Sequence, residues 1–521
     1  MLKKIFKALG IIIGIILILL IVLIIMSIDN KDINNPKVVE DNKTAETVLN
    51  NKLYEKTKDV KTQNDANITF NEEELEYLLY PIFMDMNKEL SGFNFTGVNI
   101  DVENGEYFVK LSASAFGFYK TVVYAKIDFS FDNKTFAIKF NSVKLGNLGL
   151  TGVGKVALSM MNEKQLESDL EDSGIYVDIN KKDLSIKMTL EDIEKTLTKQ
   201  MDQGNKELVS LLFDIFLASN DLLELNLGKD NLLGAIVHLG NAKYNEALHG
   251  ELKYNYDFSD IRNKCETLLE NKKIDETTLS PIFNFLVKGY DHITDEEKAI
   301  VDKTDLSTIG INNKKLYEGV INRSDLSMDS YFDSLFVGKT PLQVMSILGD
   351  GFKIPDDTLT GILQSLDFIG YSYAFCNEEG KVGYFVLEQL DFTCLKEKLK
   401  IDLVGNINGL KIVVEANFDC LDENANGLTI TGDVKKLLIG SYDLSDTQKT
   451  KLLKFLKDTL KKTNWISVDP DKEELVLDFS SAMSSAISKN ATLSSIISSQ
   501  MNETCNTYIR EGYISIRYSI G

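Results

Sequence analysis

The oxygen donors best placed for chemistry in this 521-residue chain lie in one acidic loop. Asp422, Asn424 and Asn426 alternate, Gly427 follows, and Asp433 holds the twelfth position. Calcium takes six to eight oxygen ligands, and loop positions 1, 3, 5 and 12 supply several of them. The flanks 410–418 and 428–431 read as strands, however, so a plain hairpin turn built on Asn and Gly is the other reading. A second near-motif, Gly149-Leu-Thr-Gly-Val-Gly154-Lys155-Val156, has phosphate-loop spacing up to its last position. There Val156 replaces the Ser or Thr that would hold magnesium, and a glycine-rich turn is the better reading. The histidines His238, His249 and His292 are scattered; His249, near Glu246, reads as a surface residue. The five cysteines lack C-x-x-C spacing, and Cys394 with Cys420 is the one pair placed to bridge. No G-x-S-x-G or H-E-x-x-H motif occurs. No catalytic set and no cofactor is expected, and the chain reads as a non-enzyme.

The elements that carry these residues are set by a duplication. Residues 175–189 align without gaps on 466–480, so that Ile175, Val177, Asp178, Leu184, Ile186, Met188 and Thr189 meet Ile466, Val468, Asp469, Leu475, Leu477, Phe479 and Ser480. Upstream, Leu145-Gly146 parallels Ile439-Gly440, and Phe70 and Leu75 parallel Ile354 and Leu359, in the same order. Each copy opens with a short helix, marked by the capping box of Asn71 and Glu74 or by Pro355-Asp356. Strands follow, shown by period-two alternation. Tyr107, Val109, Leu111 and Ala113 share a face; so do Val123, Ala125, Ile127, Phe129 and Phe131, and then Phe136, Ile138 and Phe140. The second copy repeats this with Leu399, Ile401 and Leu403, then Leu410, Ile412, Val414, Ala416 and Phe418. Opposite faces are polar, as in an antiparallel sheet with one wet side. A helix over 445–462 follows in the second copy, with Leu452, Leu453, Leu456 and Leu460 as its buried stripe. A strand pair and a last helix capped by Thr189 or Ser480 close each copy.

The inner face so defined is rich in rings: Phe129, Phe131, Phe136 and Phe140, with Phe418 in the second copy. Such a face either encloses an acyl chain or fills an ordinary core. Both readings stand at this point.

Residues 8–28 carry no charge, and at about 1.5 Å per residue they reach ~30 Å, a bilayer's hydrocarbon thickness. Lys3, Lys4 and Lys7 precede them, Asp29 and Asp32 follow, and no small-x-small site is present. The expectation is an uncleaved, single-pass transmembrane helix with a cytoplasmic N-terminus and an extracellular remainder. The formal net charge of −21 disfavours nucleic acid. The expected fold class is α+β: that transmembrane helix, then two related modules of curved antiparallel sheet packed on helices, with a more helical middle. The expected division is a membrane segment over 1–28, a polar stalk over 29–67, modules over 68–205 and 354–521, and the helical middle region or linker over 206–353.

This layout of basic N-terminus, single span, polar stalk and a helix beginning Phe70-Asn-Glu-Glu-Glu-Leu75 before alternating strands resembles the YpmS-like membrane-anchored proteins of low-GC Gram-positive bacteria. The segment Val143-Lys-Leu-Gly146-Asn-Leu-Gly-Leu150 occupies the place of a similar segment there. The resemblance implies a sheet wrapped on a helix, as in lipid-binding modules of the TULIP and YceB type. It implies a membrane-anchored extracytoplasmic envelope protein that binds lipid or another amphiphile. The alternative is a membrane-tethered scaffold for cell-wall or envelope protein partners.

Overall fold

Alternating apolar and polar residues build one long and one short antiparallel sheet twice over in this chain. The computed structural model describes residues 33, 45–86, 93–115, 119–132, 135–145, 148–149, 167–168, 171, 176–180, 182–198, 221–321, 326–366, 368–461, 463–489 and 505–518. They fall into two compact units, one drawn from residues up to 56 and from 65–238, the other from 57–64 and from 239 onward.

In the first unit, helix α1 (Ala45–Thr57) precedes strand β1 (Ala66–Phe70) and helix α2 (Glu72–Met86). Its large sheet runs β2 (Phe93–Glu103), β3 (Glu106–Ala115), β4 (Tyr119–Asp132), β5 (Thr135–Leu145), β8 (Ser185–Thr189), β7 (Asp178–Asn180), with β6 (Leu148–Gly149) beside β5. Helix α3 (Leu190–Thr198) follows β8. Strands β9 (Leu223–Leu227) and β10 (Leu233–Val237) then return to pair with β1 in the order β1-β10-β9.

The second unit repeats the plan from β11 (Phe352–Pro355) onward. Its large sheet runs β12 (Ser372–Cys376), β13 (Val382–Leu395), β14 (Lys398–Ile407), β15 (Leu410–Asp419), β17 (Thr429–Ile439), β20 (Glu474–Asp478), β19 (Ile466–Asp469). Short strands β16 (Ala425–Asn426) and β18 (Tyr442–Asp443) lie against β17. The hairpin β21 (Cys505–Arg510) and β22 (Tyr513–Tyr518) pairs with β11 in the order β11-β22-β21.

The duplication reaches the irregularities. A bulge at Thr96, where β2 meets β3, recurs at Glu388, where β13 meets β14. A second at Asn141, where β5 meets β4, recurs at Lys435, where β17 meets β15. Bulges bend and twist a sheet locally, so matched bulges mean matched curvature. The last hairpins match as well, but two residues away from the sequence alignment. Asn180 pairs with Ser185 as Asp469 pairs with Glu474, and Leu184 and Glu473 share the rare positive φ of 50° and 56°. A one-residue slip would have inverted every side chain, whereas a two-residue slip preserves the in–out pattern and is invisible to alternation.

The expected middle region divides. Strands β9 and β10 complete the first copy, and helices between 239 and 350 belong to the second unit. Among these helices are α4 (Leu239–Ala242), α5 (Glu246–His249), α6 (Ser259–Glu270) and α7 (Glu276–Lys288).

Both units seal an exposed sheet edge with a helix. In the first, the Glu72 and Glu76 carboxylates accept from the backbone N–H groups of Val102 (2.6 Å) and Ile100 (3.1 Å). In the second, Asp356, Thr360 and Gln364 accept from Cys394 (3.2 Å), Phe392 (2.9 Å) and Leu390 (3.1 Å). Helix α7 does the same for β12, with Asn284 and Ser280 accepting from Ser372 (3.1 Å) and Ala374 (3.3 Å). Four residues of helix rise about 6 Å and two residues of strand about 6.6 Å, so i, i+4 side chains meet alternate strand amides. Edges capped in this way cannot recruit another strand.

Two expectations need correction. Helix α1 is part of the first unit's core, with Val48 and Leu49 buried, and is no solvated stalk. Its apolar pair, spaced too close for a helical stripe, was outweighed in the sequence by surrounding Asn, Lys and Glu. Among the described residues no helix is long and apolar enough to cross a membrane. The longest, α2 and the helix Asp446–Leu460, have 15 residues, against about 20 needed for a span. Residues 8–28 lie outside the described residues; the fold class of the described residues is α+β with curved antiparallel sheets, and no transmembrane helix is among them.

Candidate functional site

The acidic loop folds as a hairpin and clasps an arginine. Asp422 spends both carboxylate oxygens on Arg510, Oδ1 on Nη1 and Oδ2 on Nη2, each at 2.8 Å. Asn426 pairs with Thr429 across the β16–β17 turn, and Asp433 lies in β17 between Asp419 and Glu474. Asn424 ends the short turn Asp422–Asn424. The positive charge a calcium ion would bring is supplied by a guanidinium seated on the Tyr508 ring. The Lys155 near-motif lies outside the described residues.

The predicted rings occupy three places. Phe129, Phe131 and Phe136 gather half-buried at one end of the first unit's large sheet, while Phe140 is buried in its core. Phe129 meets Tyr107 edge-on with centroids 4.7 Å apart and stacks on Phe136 at 5.8 Å. The Tyr107 hydroxyl is pushed up to about 12 by burial. Phe418 lies in the other unit, fully enclosed. Its strand position equals that of Ile127, so the five rings form no single site. The equivalents of Tyr107, Phe129 and Phe136 in the second unit are Leu399, Cys420 and Ile430, all buried.

A polar cluster that sequence reading missed lies on the opposite face of the second sheet. Lys400, Asp402 and Asn406 alternate along β14; Lys411, Glu415 and Asn417 do so along β15; Gln389 and Asp391 lie on β13, beside the Glu388 bulge. The register sets Asp391 against Asp402 and Asp402 against Glu415, three carboxylates in one row. Such a face would ordinarily be wet. Residues 239–258 lie over it as a strap, which the backbone amide of Tyr244 joins to the Lys411 carbonyl at 2.9 Å. Gln389 bonds both the amide (3.0 Å) and the carbonyl (2.8 Å) of Tyr254, and the Lys253 amide donates to Asp391 at 3.0 Å.

The strap's α5 drives His249 into the row, where its Nδ1 donates to Glu415 Oε2 at 2.7 Å. The sequence neighbour Glu246 is not its partner; His249 is buried, and the surface reading is corrected. The Lys400 ammonium is bonded to the His249 carbonyl, lies 2.6 Å from Asp402 Oδ2 and 3.9 Å from Glu415 Oε2. Lys411 pairs with Glu388 at 2.7 Å. Burial pushes Asp391 up to about 7 and Asp402 up to about 6, against the opposing pull of the Lys253 amide and of Lys400 respectively. Burial also raises Glu388 despite Lys411. For Glu415 burial acts upward too, but the bonds from His249 and Asn417 prevail and hold it below its usual range. The one signal in the sequence was the alternation of charged residues in strands otherwise dense in Val, Ile and Leu. It reads as a solvent face because nothing local announces a strap from 150 residues upstream.

The remaining candidates are placed simply. His238 contacts Asp65 at 2.8 Å in the first unit. Cys394 and Cys420 are unbridged buried thiols, raised by burial, Cys420 to about 12. No family model, curated protein or solved structure matches this chain.

Proposed function

We propose that this chain is a non-catalytic binding protein whose first unit takes an amphiphile at the ring-bearing end of its large sheet. The observation that carries the reading is the contrast between equivalent positions. Tyr107, Phe129 and Phe136 form a ring cluster left half-buried at its rim, whereas Leu399, Cys420 and Ile430 are closed over in the sister unit. In the second unit the β21–β22 hairpin packs on β13, β14 and β17. Large flat rings give an acyl chain contact area at small cost in side-chain entropy, since they have few rotatable bonds. The likeness to TULIP-type and YceB-type organisation points the same way.

Titration of the full chain with a fluorescent long-chain fatty acid tests this, alongside native mass spectrometry for co-purified lipid. Saturable uptake is expected, lost in Phe129→Asp and Phe136→Asp and retained in Asp422→Asn. A folded chain that is empty and does not respond to the fatty acid overturns the proposal.

A further inference from the structure

The strap-covered row in the second unit holds more carboxyl groups than its own lysines pair. Glu388, Asp391, Asp402 and Glu415 are all buried, and the sheet face offers them Lys400 and Lys411. Lys253, on the strap, is spent on Asp356 (3.0 Å) and Asp357 (2.8 Å) at the start of the helix Asp356–Leu363. Three buried atoms in the row have no hydrogen-bond partner: Asp391 Oδ1, Asp402 Oδ1 and His249 Nε2. A buried polar atom without a partner is costly, and each such atom in a native fold calls for an explanation. Of these, Asp402 Oδ1 belongs to a carboxylate that already holds one cation on its other oxygen.

The donor set says which cation. One imidazole and two carboxylates, from His249, Asp402 and Glu415, bring ligand atoms within 4.8 Å of one another. Imidazole nitrogen with carboxylate oxygen suits zinc, whereas calcium and magnesium prefer oxygen alone. Donors at about 2.0–2.2 Å from a tetrahedral zinc ion stand about 3.3–3.6 Å apart, so the widest pair in the cluster has to close by roughly 1.3 Å. The obstacle is the Lys400 ammonium, which already lies among these groups.

We propose that His249, Asp402 and Glu415 form a zinc site in which the divalent ion exchanges with the Lys400 ammonium. The ion takes the Nδ1 lone pair of His249 and one oxygen from each carboxylate; the proton that Nδ1 held toward Glu415 moves to Nε2, which has no other partner, so one N–H bond breaks and one forms. The ammonium leaves the cluster with its own protons. Because His249 comes from the strap and the acids from the sheet, the ion ties residues 239–258 to the sheet more firmly than a single ammonium does. The first unit has Lys110 and Tyr124 at the positions of Asp402 and Glu415, so it offers no such site. The inference is independent of the amphiphile site.

The test uses the full chain, stripped with a chelator and titrated calorimetrically with zinc chloride alone, with the thermal midpoint followed in parallel. One equivalent is expected to bind and to raise the midpoint. Asp402→Asn and Glu415→Gln are each expected to weaken binding at least tenfold, while Lys400→Met, which removes the competing ammonium, tightens it by a similar factor. A gain of affinity cannot come from misfolding, so that variant decides the matter even where the losses coincide with unfolding. Absence of binding in both the native chain and Lys400→Met overturns the proposal; so does binding that Asp402→Asn and Glu415→Gln leave unchanged. Fatty-acid uptake should not respond to any of these changes.

Discussion

Across the central strands of the two large sheets, the same three positions hold opposite chemistry. The second unit carries Asp391, Asp402 and Glu415 in a row; the first carries Asn99, Lys110 and Tyr124. The bulges beside these rows match, so the backbone that presents them is the same. In the first unit all three are half-buried, and Lys110 donates to Asn99 at 2.9 Å and pairs with Asp101. In the second unit the strap removes the water, and every charge must find a protein partner, keep a proton or go unpaired. The second unit thus differs from the first by a cover and by the side chains of this row, on a sheet whose backbone is the same.

The largest effect that separates the two units belongs to their apolar faces. Phe418 is fully enclosed, and Phe418→Ala should cost about 3–5 kcal/mol. Phe129 is half-buried, and Phe129→Ala should cost roughly half as much or less. Trp465, the chain's single tryptophan, is buried beside Phe392 and stacked on Phe479 in the second unit, so its fluorescence reports that unit's unfolding. In denaturant titrations Phe418→Ala is expected to lower the tryptophan midpoint, while Phe129→Ala leaves it in place. Equal shifts from both variants would mean that the units unfold as one, and the contrast between their cores would lose its energetic meaning.

Local pattern made the strands and their inner faces legible, because period-two alternation survives wherever a sheet has one apolar side. Tyr107, Val109 and Leu111, or Leu399 and Ile401, could be assigned to the inner face for that reason. The duplication was legible as well, although the last hairpin was misaligned by two residues, the slip that alternation cannot detect. The burial of helix α1 was illegible, since Val48 and Leu49 only become core once distant strands are in place. The ionic layer was illegible for the same reason at longer range. His249 is brought to Glu415 by chain topology, and neither residue carries a mark of the other in its neighbours. The helix-sealed edges were half legible: Asn71 and Glu74 were read as caps, while Glu72 and Glu76 needed the β2 edge to acquire a role.

A difference of intermediate size should appear when pH is varied on the metal-free chain. Asp391 and Asp402 are held near 7 and 6, above the ~3.9 of an unfolded aspartate. Between those limits the folded chain binds protons that the unfolded chain has released. The stabilisation from these protons is therefore complete below about pH 4 and is lost as pH rises through 6 and 7. Each titrating group contributes a slope of about 1.4 kcal/mol per pH unit within its window. The tryptophan-monitored midpoint should fall from pH 5 to pH 8, and Asp391→Asn should flatten part of that fall. A midpoint that rises over this interval would show that the row is solvated, and that the two faces differ in sequence but not in environment.

The smallest effect sharpens the comparison from the wet side. Lys110 in the first unit holds the position of Asp402, and its partner Asp101 is similarly half-exposed. An ion pair in that setting gains little, because water already solvates both charges and two long side chains must be held still. Lys110→Met should therefore change stability by less than about 1 kcal/mol, and 0.5 M salt should reduce even that, since about 4 Å of screening length is left at such ionic strength. Circular dichroism melts of the full chain with and without salt provide the measurement. A loss well above 1 kcal/mol that salt does not touch would mean that the first face is also sealed from water, and that the strap is not what distinguishes the units.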